Sequence, residues 1–521
     1  MAMSSGKWYY EVYYTAGTNP EAGLARVKDS FANSGATGSS DKFLYITNAT
    51  SFRTPAWTST DATGVSAQTS ETILGFAIDA DNGKAFISVN GTYINSGDPA
   101  AGSNPQATFD ADWVTQTGGG VVPFIGVYTG TSGDVRINFG QDSSFSGAKS
   151  TANSNADGEG HGSFQYAPPT DFLALCSQNL PDPDIIDGTE HFNTVTYTGD
   201  GTSSRDLEGF GFQPGFVWLK ERGAVNNHIL VNGGRGADKG IHSDSESTLE
   251  FTGVTSAFTS DGITLTNHGT VNNNSDTYVA WAWKATESFS NSSGSNGANV
   301  ASSGLVNTTA GFSFSTFTAD GSVKTIAHGM GKVPTTIWTK PNEDNWFYVY
   351  HVGTASDAET DYLALSRSNA VADYVMWNDT APTSSLWTVG VASHNSGANE
   401  EHISFLFADV EGFSKSGSYV GNGDADGSFI YTGFRVAWIM IKNITDAGED
   451  WEIWDSTRDP DNVVTQRLKA NTNGADVSST FMDFVANGVK LRNTSGGYNA
   501  SGKTYVYIAF ADQPFKFANA R

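Results

Sequence analysis

One cysteine, Cys176, stands in a chain of 521 residues. No internal disulfide can form, so the fold must rest on burial and hydrogen bonding. No apolar run approaches the roughly 18 residues that span a membrane, and no membrane insertion is expected. Met1 to Gly6 has no apolar core of a secretory signal, so synthesis is expected in the cytoplasm without a signal peptide. Basic residues are scarce: 29 Lys and Arg stand against 55 Asp and Glu, a net charge of −26. So acidic a chain repels phosphate backbones, and no basic patch interrupts it, so no nucleic-acid partner is expected. The same charge favours solubility, and a saline habitat would screen its self-repulsion. Sustained helical periodicity is missing. So are a His-x-x-x-His pair, a Cys/His cluster, a Gly-x-Ser-x-Gly elbow and a Walker loop, which leaves zinc and nucleotide chemistry without a motif.

Glycine is abundant, with 58 residues, and aromatics make up 12%. That mixture suits short strands joined by tight turns, and the expected fold class is all-β. The length calls for several domains. Lys7 to Tyr14 is aromatic and β-branched and reads as a strand. Ile73 to Asp79 and Lys84 to Gly91 read as a hairpin about Asn82-Gly83, a dipeptide that tolerates positive φ. Val121 to Tyr128 and Asp134 to Gly140 read as a later pair.

These pieces, in this order, resemble a SPRY domain: Gly6-Lys7-Trp8-Tyr9-Tyr10-Glu11-Val12, Leu74-Gly75-Phe76-Ala77-Ile78-Asp79, Val89-Asn90-Gly91, Val122-Pro123-Phe124-Ile125-Gly126 and Arg136-Ile137-Asn138-Phe139-Gly140. Pro168 to Cys176 is similar to the closing segment of SPRY-type domains in bacteriophage proteins. The resemblance covers residues 1–185. It implies an antiparallel β-sandwich that binds partners through loops and is not known for catalysis.

Beyond it the chain repeats. Gly211 to Lys220, Gly331 to Lys340 and Gly433 to Lys442 form one block, each with a tryptophan (Trp218, Trp338, Trp438) and a closing lysine. A second block runs Phe258 to Leu265, Ser384 to Val391 and Phe484 to Leu491. A third runs Tyr278 to Trp283, His402 to Phe407 and Tyr505 to Phe510. Counting back from the lysines sets Trp438 opposite Phe216, not Trp218, which leaves the register open. A period this long means whole domains rather than solenoid repeats. The expected units are small β-sandwiches at 186–300, 301–415 and 416–521. Pro181 to Asp184 reads as a stiff boundary and Asn291 to Ser303 as a linker.

A SPRY-like part followed by such repeats, ending in Ala509-Phe510-Ala511-Asp512-Gln513-Pro514-Phe515, resembles virion-associated proteins of tailed, marine bacteriophages. That resemblance implies a virion component of the tail-fibre type. Its expected partners are a host-surface receptor, glycan or protein, and other virion proteins. A homo-oligomer is expected, a trimer by analogy with fibres. The alternatives are a capsid-decorating or purely structural virion protein, and a surface-glycan depolymerase. No particle-attachment domain precedes the SPRY-like part, so truncation or attachment through a partner is an expectation too.

No catalytic residue is assigned. Aromatics in turn-rich stretches are the binding candidates: Trp346, Phe347, Trp377, Trp451 and Trp454. Such rings either stack on sugars and proteins or fill a small core. Two loops have calcium-like spacing, Asn422, Asp424 and Asp426, and Asn153, Asn155 and Asp157. Both lack the glutamate that closes such a loop at its twelfth position, so Asx-rich turns are the plainer reading and no cofactor is required.

Overall fold

The aromatic and β-branched runs form strands throughout a computed structural model. It describes residues 3, 5–17, 20–26, 42–43, 51–53, 59–61, 71–109, 121–127, 133–246, 252–342, 345–391 and 398–518. The fold is all-β, in antiparallel sheets, and divides into two compact units, Met1–Pro181 and Asp182–Arg521. The boundary falls within the Pro181-Asp182-Pro183-Asp184 segment.

In the first unit Lys7–Gly17 lies at the centre of a sheet, between Gly133–Asn138 and Ile73–Asp79. Its alternate residues Trp8, Tyr10, Val12 and Tyr14 enter one core with Leu74, Phe76, Ile78 and Ile87. Leu24 and Val121 join that core from a second sheet, in which Val121–Val127 pairs with Pro20–Arg26. The Asn82-Gly83 hairpin forms as expected: Ile78 pairs with Ala85, Asp79 caps Asn82 N–H at 3.0 Å, and Gly83 has φ 60°. The expected pairing of Val121 to Tyr128 with Asp134 to Gly140 does not form. The two strands lie in different sheets. Glu11 gives a reason. Its buried carboxylate accepts from Gln165 N–H at 3.0 Å, Tyr166 N–H at 2.8 Å and Asn138 Nδ2 at 3.3 Å, which ties the strand bearing Asn138 to the Lys7–Gly17 strand. Residues 28–41 and 62–70 lie outside the described residues.

In the second unit one topology occurs three times. The first strand of a repeat pairs with the last, the last with the third, and the third with the fourth. In the first repeat these are Phe192–Thr198, Thr277–Lys284, Pro214–Glu221 and Ile229–Asn232. In the second they are Phe312–Asp320, Ala398–Phe407, Thr336–Pro341 and Tyr348–His351. In the third they are Ser414–Val420, Thr504–Pro514, Phe434–Asn443 and Trp451–Asp455. The register is settled by cross-strand partners. Trp218 faces Trp281, Trp338 faces Phe405 and Met440 faces Ile508, whereas Trp438 faces Phe510 as Phe216 faces Trp283. The count from the lysines is the correct alignment, and Met440, not Trp438, stands in the Trp218 position.

The repeats do not stand in series. One core contains Trp218, Trp281 and Trp283, then Trp338, Phe405 and Phe407, then Trp438 and Phe510. The Trp218 ring lies 5.8 Å from Trp338 and 6.5 Å from Trp438, and Phe407 lies 5.7 Å from Phe510. Each repeat offers the rest one apolar sheet face that water would otherwise meet, and burial of all three faces together drives them into one body. Three backbone hydrogen bonds at neighbouring positions of the repeats close the ring. Asn226 N–H donates to Asn473 O at 3.0 Å, Gly448 N–H to Ser368 O at 2.8 Å, and Asn345 N–H to Glu246 O at 2.9 Å. First repeat thus holds third, third holds second, and second holds first. The Asn291 to Ser303 stretch, expected as a linker, is a hairpin whose strands Glu287–Asn291 and Ser302–Asn307 extend the second repeat's sheet.

Candidate functional site

Four of the five candidate aromatics are core residues. Phe347, Trp451 and Trp454 are buried in the shared core, and Trp377 in the second repeat's own core. Trp451 Nε1–H donates to Ala364 O at 2.8 Å and Trp377 Nε1–H to Asp361 O at 2.7 Å. Phe347 directly precedes the fourth strand of its repeat and Trp451 opens that of the third, where its indole reaches the second repeat at Ala364 O. Their turn-rich sequence context reflects the seam, not solvent.

Trp346, the fifth candidate, is half-buried and opens onto a strip of rings. Its centroid lies 5.9 Å from that of Tyr348, which lies 5.9 Å from Tyr362, which lies 6.4 Å from Tyr374. Tyr374 and Val375 are 47% and 46% exposed, and Tyr362 is half-buried. The Arg367 guanidinium sits 4.6 Å from the Trp346 ring centre and is ion-paired with Glu246, both side chains about two-fifths exposed. Glu246 belongs to the first repeat, so the strip borders the seam between first and second repeats.

The support beneath the strip is rigid. Buried Lys340 donates from Nζ to Asn345 O at 2.7 Å and to Ser245 O at 3.4 Å, gripping both sides of the seam. Asn345 Oδ1 accepts from the Tyr348 hydroxyl at 3.0 Å. Burial raises the pKa of Tyr348 and Tyr362, with neighbouring tyrosines adding to the effect, so both hydroxyls stay protonated near neutrality.

Internal comparison separates this strip from the demands of the fold. Register through Leu230, Val349 and Ile453 sets Trp346 against Asn227 and Asp450, and Tyr348 against Ile229 and Glu452. Register through Ile241, Leu363 and Leu468 sets Tyr362 against Gly240 and Arg467. The same topology is built without rings at these positions. In the third repeat they carry ion pairs instead, Glu452 with Arg467 at 3.0 Å and Asp450 with Lys469 at 2.6 Å. Sequence reading missed Tyr362 and Tyr374 because each sits in an ordinary alternating run, and the contrast emerges only once the register is known.

The calcium-like loops spend their polar groups internally. Asn422 Oδ1 accepts from Asp424 N–H, Asp424 Oδ1 from Asp426 N–H, and Asp426 pairs with Lys490 at 2.8 Å. Asp200 and Asp320 make the same turn in the other repeats, capping Thr202 and Ser322. In the first unit Asn153 and Asn155 donate to Gln165 O, and Asp157 accepts from Glu159, His161 and Ala174 N–H and from Asn179 Nδ2. These are Asx turns and loop staples. Among the described residues no group of three or more His, Cys, Asp or Glu could hold a metal ion.

A second concavity, of about 490 Å³, lies on the extended sheet of the second repeat among Ser290, Ser303, Thr316, Thr318 and Glu401. Its lining is mainly small hydroxyl side chains, and the ring among them, Phe317, is buried. The strip combines ring faces, a guanidinium and a carboxylate on one surface, a set suited to holding a ligand by stacking and hydrogen bonds.

Residues 187–514 match the model of a family described as "Domain of unknown function (DUF7483)". The match runs through all three repeats, in keeping with their common core. No curated protein matches the chain.

Proposed function

We propose that this chain, which belongs to the DUF7483 family through residues 187–514, is a bacteriophage virion protein of the tail-fibre or receptor-binding kind. It recognises a host-surface molecule and does not alter it chemically. The observation that carries the recognition reading is the strip from Trp346 to Tyr374, with Arg367 and Glu246 beside it. Its outer end at Tyr374 is exposed, Trp346 and Tyr362 are half-buried over the core residue Tyr348, and the strip occurs in one of three otherwise matching repeats. The virion setting rests on the likeness of residues 1–185 to phage SPRY-type domains and of the repeats to virion-associated proteins. Other virion proteins would anchor the chain, and stiff β-units would hold the strip away from that anchor.

Two measurements test this reading. Antibody against the chain should label intact particles, and purified protein should bind host cells and compete with particle adsorption. Absence from purified particles would contradict the virion setting. Depolymerisation of host polysaccharide by the purified chain would contradict the non-catalytic reading.

A further inference from the structure

We propose that the ligand of the Trp346–Tyr374 strip is a neutral pyranose glycan, a proposal that rests on the recognition reading above. Three observations narrow the chemistry. First, the Tyr362 and Tyr374 rings stand at 70° with centroids 6.4 Å apart. That makes a shallow corner whose walls can meet the C–H faces of a sugar ring. Aromatic faces take such contacts at low entropic cost, because a tyrosine has few rotatable bonds to fix.

Second, Arg367 and Glu246 form a half-exposed donor–acceptor pair beside the rings, with Arg367 already held over Trp346 at 4.6 Å. The ion pair engages the guanidinium through Nε, and a guanidinium carries five N–H donors in all. A vicinal diol can donate to the carboxylate and accept from the guanidinium at once. Pre-orientation by stacking and pairing lowers the cost of ordering these groups on binding.

Third, the charge excludes the commonest competitors. The chain carries −26, and Glu246 stands beside this cluster, close enough to act on Tyr348. An anionic polysaccharide or a phosphorylated glycan would meet like charge. A protein partner would call for a larger apolar contact than the strip supplies, since the exposed apolar side chains here are Tyr374 and Val375.

The equivalent positions support one further step. Asn227, Ile229 and Gly240 in the first repeat, and Asp450, Glu452 and Arg467 in the third, provide no ring corner. Among the described residues the second unit therefore holds one such site, and binding through the strip is monovalent per chain.

The test is affinity electrophoresis of the full chain through gels containing dextran, mannan or galactan as neutral probes and polygalacturonate as the anionic one. The same gels take the Tyr374→Ala and Arg367→Ala variants, both at exposed side chains, with melting curves to confirm folding. The expected result is retardation by at least one neutral polymer, none by polygalacturonate, and binding at least about tenfold weaker in each folded variant. The proposal is overturned if no neutral polymer retards the chain, if polygalacturonate retards it more, or if both folded variants bind as the parent does. Should one variant fail to fold, the other decides. Particle labelling with unchanged binding in both variants would sink this proposal and leave the virion reading standing. Neutral-glycan binding by a chain absent from particles would do the reverse.

Discussion

At the residue scale, three buried histidines carry one protonation pattern. Trp218 Nε1–H donates to His228 Nδ1 at 2.8 Å, Met330 N–H to His328 Nδ1 at 3.2 Å, and Gly353 N–H to His351 Nδ1 at 3.0 Å. Each Nε2 faces a carbonyl, Lys469 O at 3.0 Å, Thr383 O at 3.2 Å and Tyr507 O at 2.9 Å. The neutral tautomer protonated on Nε2 satisfies both sides, and a second proton on Nδ1 would point at a donor. Burial acts the same way and lowers His328 and His351 to about 4. Between about 6.5 and about 4 the unfolded chain takes up a proton that folded His351 refuses, so stability falls as pH falls through that window. Buried Asp244 and Glu452, both raised to about 7, work in the opposite direction, so the effect is isolated by comparing variants. His351→Gln keeps an acceptor and a donor. Urea unfolding at pH 7 and pH 4 should show the parent losing on the order of 3 kcal/mol more than this variant on acidification. Equal losses would refute the assignment. Sequence alone shows these histidines scattered and in no zinc motif. It could not show that His228 and His351 bridge to the third repeat, because those carbonyls are far away in the chain.

At the element scale, the sequence was most legible where one hairpin makes its own contacts. The turn at Asn82-Gly83 needs only its local dihedrals and the Asp79 cap. The strands Val121–Val127 and Gly133–Asn138 were equally visible, yet their partners were not, since pairing there is decided by the needs of buried Glu11 and of the opposing sheet. Likewise the Ser/Gly/Asn run after Asn291 has linker composition but pairs because its flanks complete a sheet edge. The repeated Asp-Gly and Asn-Gly turns hold a related lesson. At Gly262 and Gly488 φ lies outside the left-handed region, but a Cβ would stand 1.8 Å from Leu207 O and 2.1 Å from Ile430 O. These glycines admit the neighbouring strand, Arg205–Leu207 or Phe429–Tyr431. Gly262→Ala and Gly488→Ala should therefore each destabilise by about 1–3 kcal/mol in denaturant titration, through displaced strand pairing. Alanine accepted without loss at either position would show that the close approach is not required.

At the scale of the whole molecule, the second unit achieves within one chain what three subunits achieve in a trimer. Its tryptophan-rich core is assembled from all three repeats, and each seam is joined by a backbone hydrogen bond. A repeat alone would expose its half of that core, so residues 182–521 should unfold in a single cooperative transition. Tryptophan fluorescence and far-UV dichroism should give coincident curves, and separate transitions would contradict a shared core. The trimer expected by likeness to fibres is not needed to complete this unit, and light scattering of the isolated unit should return the mass of one chain. A closed ring also leaves each repeat free to vary where it meets solvent, and the second repeat has placed rings there. The account turns on that distinction between residues the fold demands and residues it tolerates. Its most direct test replaces Trp346 with the asparagine of the first repeat and removes Tyr374, as Trp346→Asn with Tyr374→Ser, and measures host-cell binding beside thermal melting. The account predicts a unit that stays folded, melting within about 5 °C of the parent, and no longer binds. A folded variant that binds host cells as the parent does would contradict it, and so would collapse of the fold, which would make the strip part of the core.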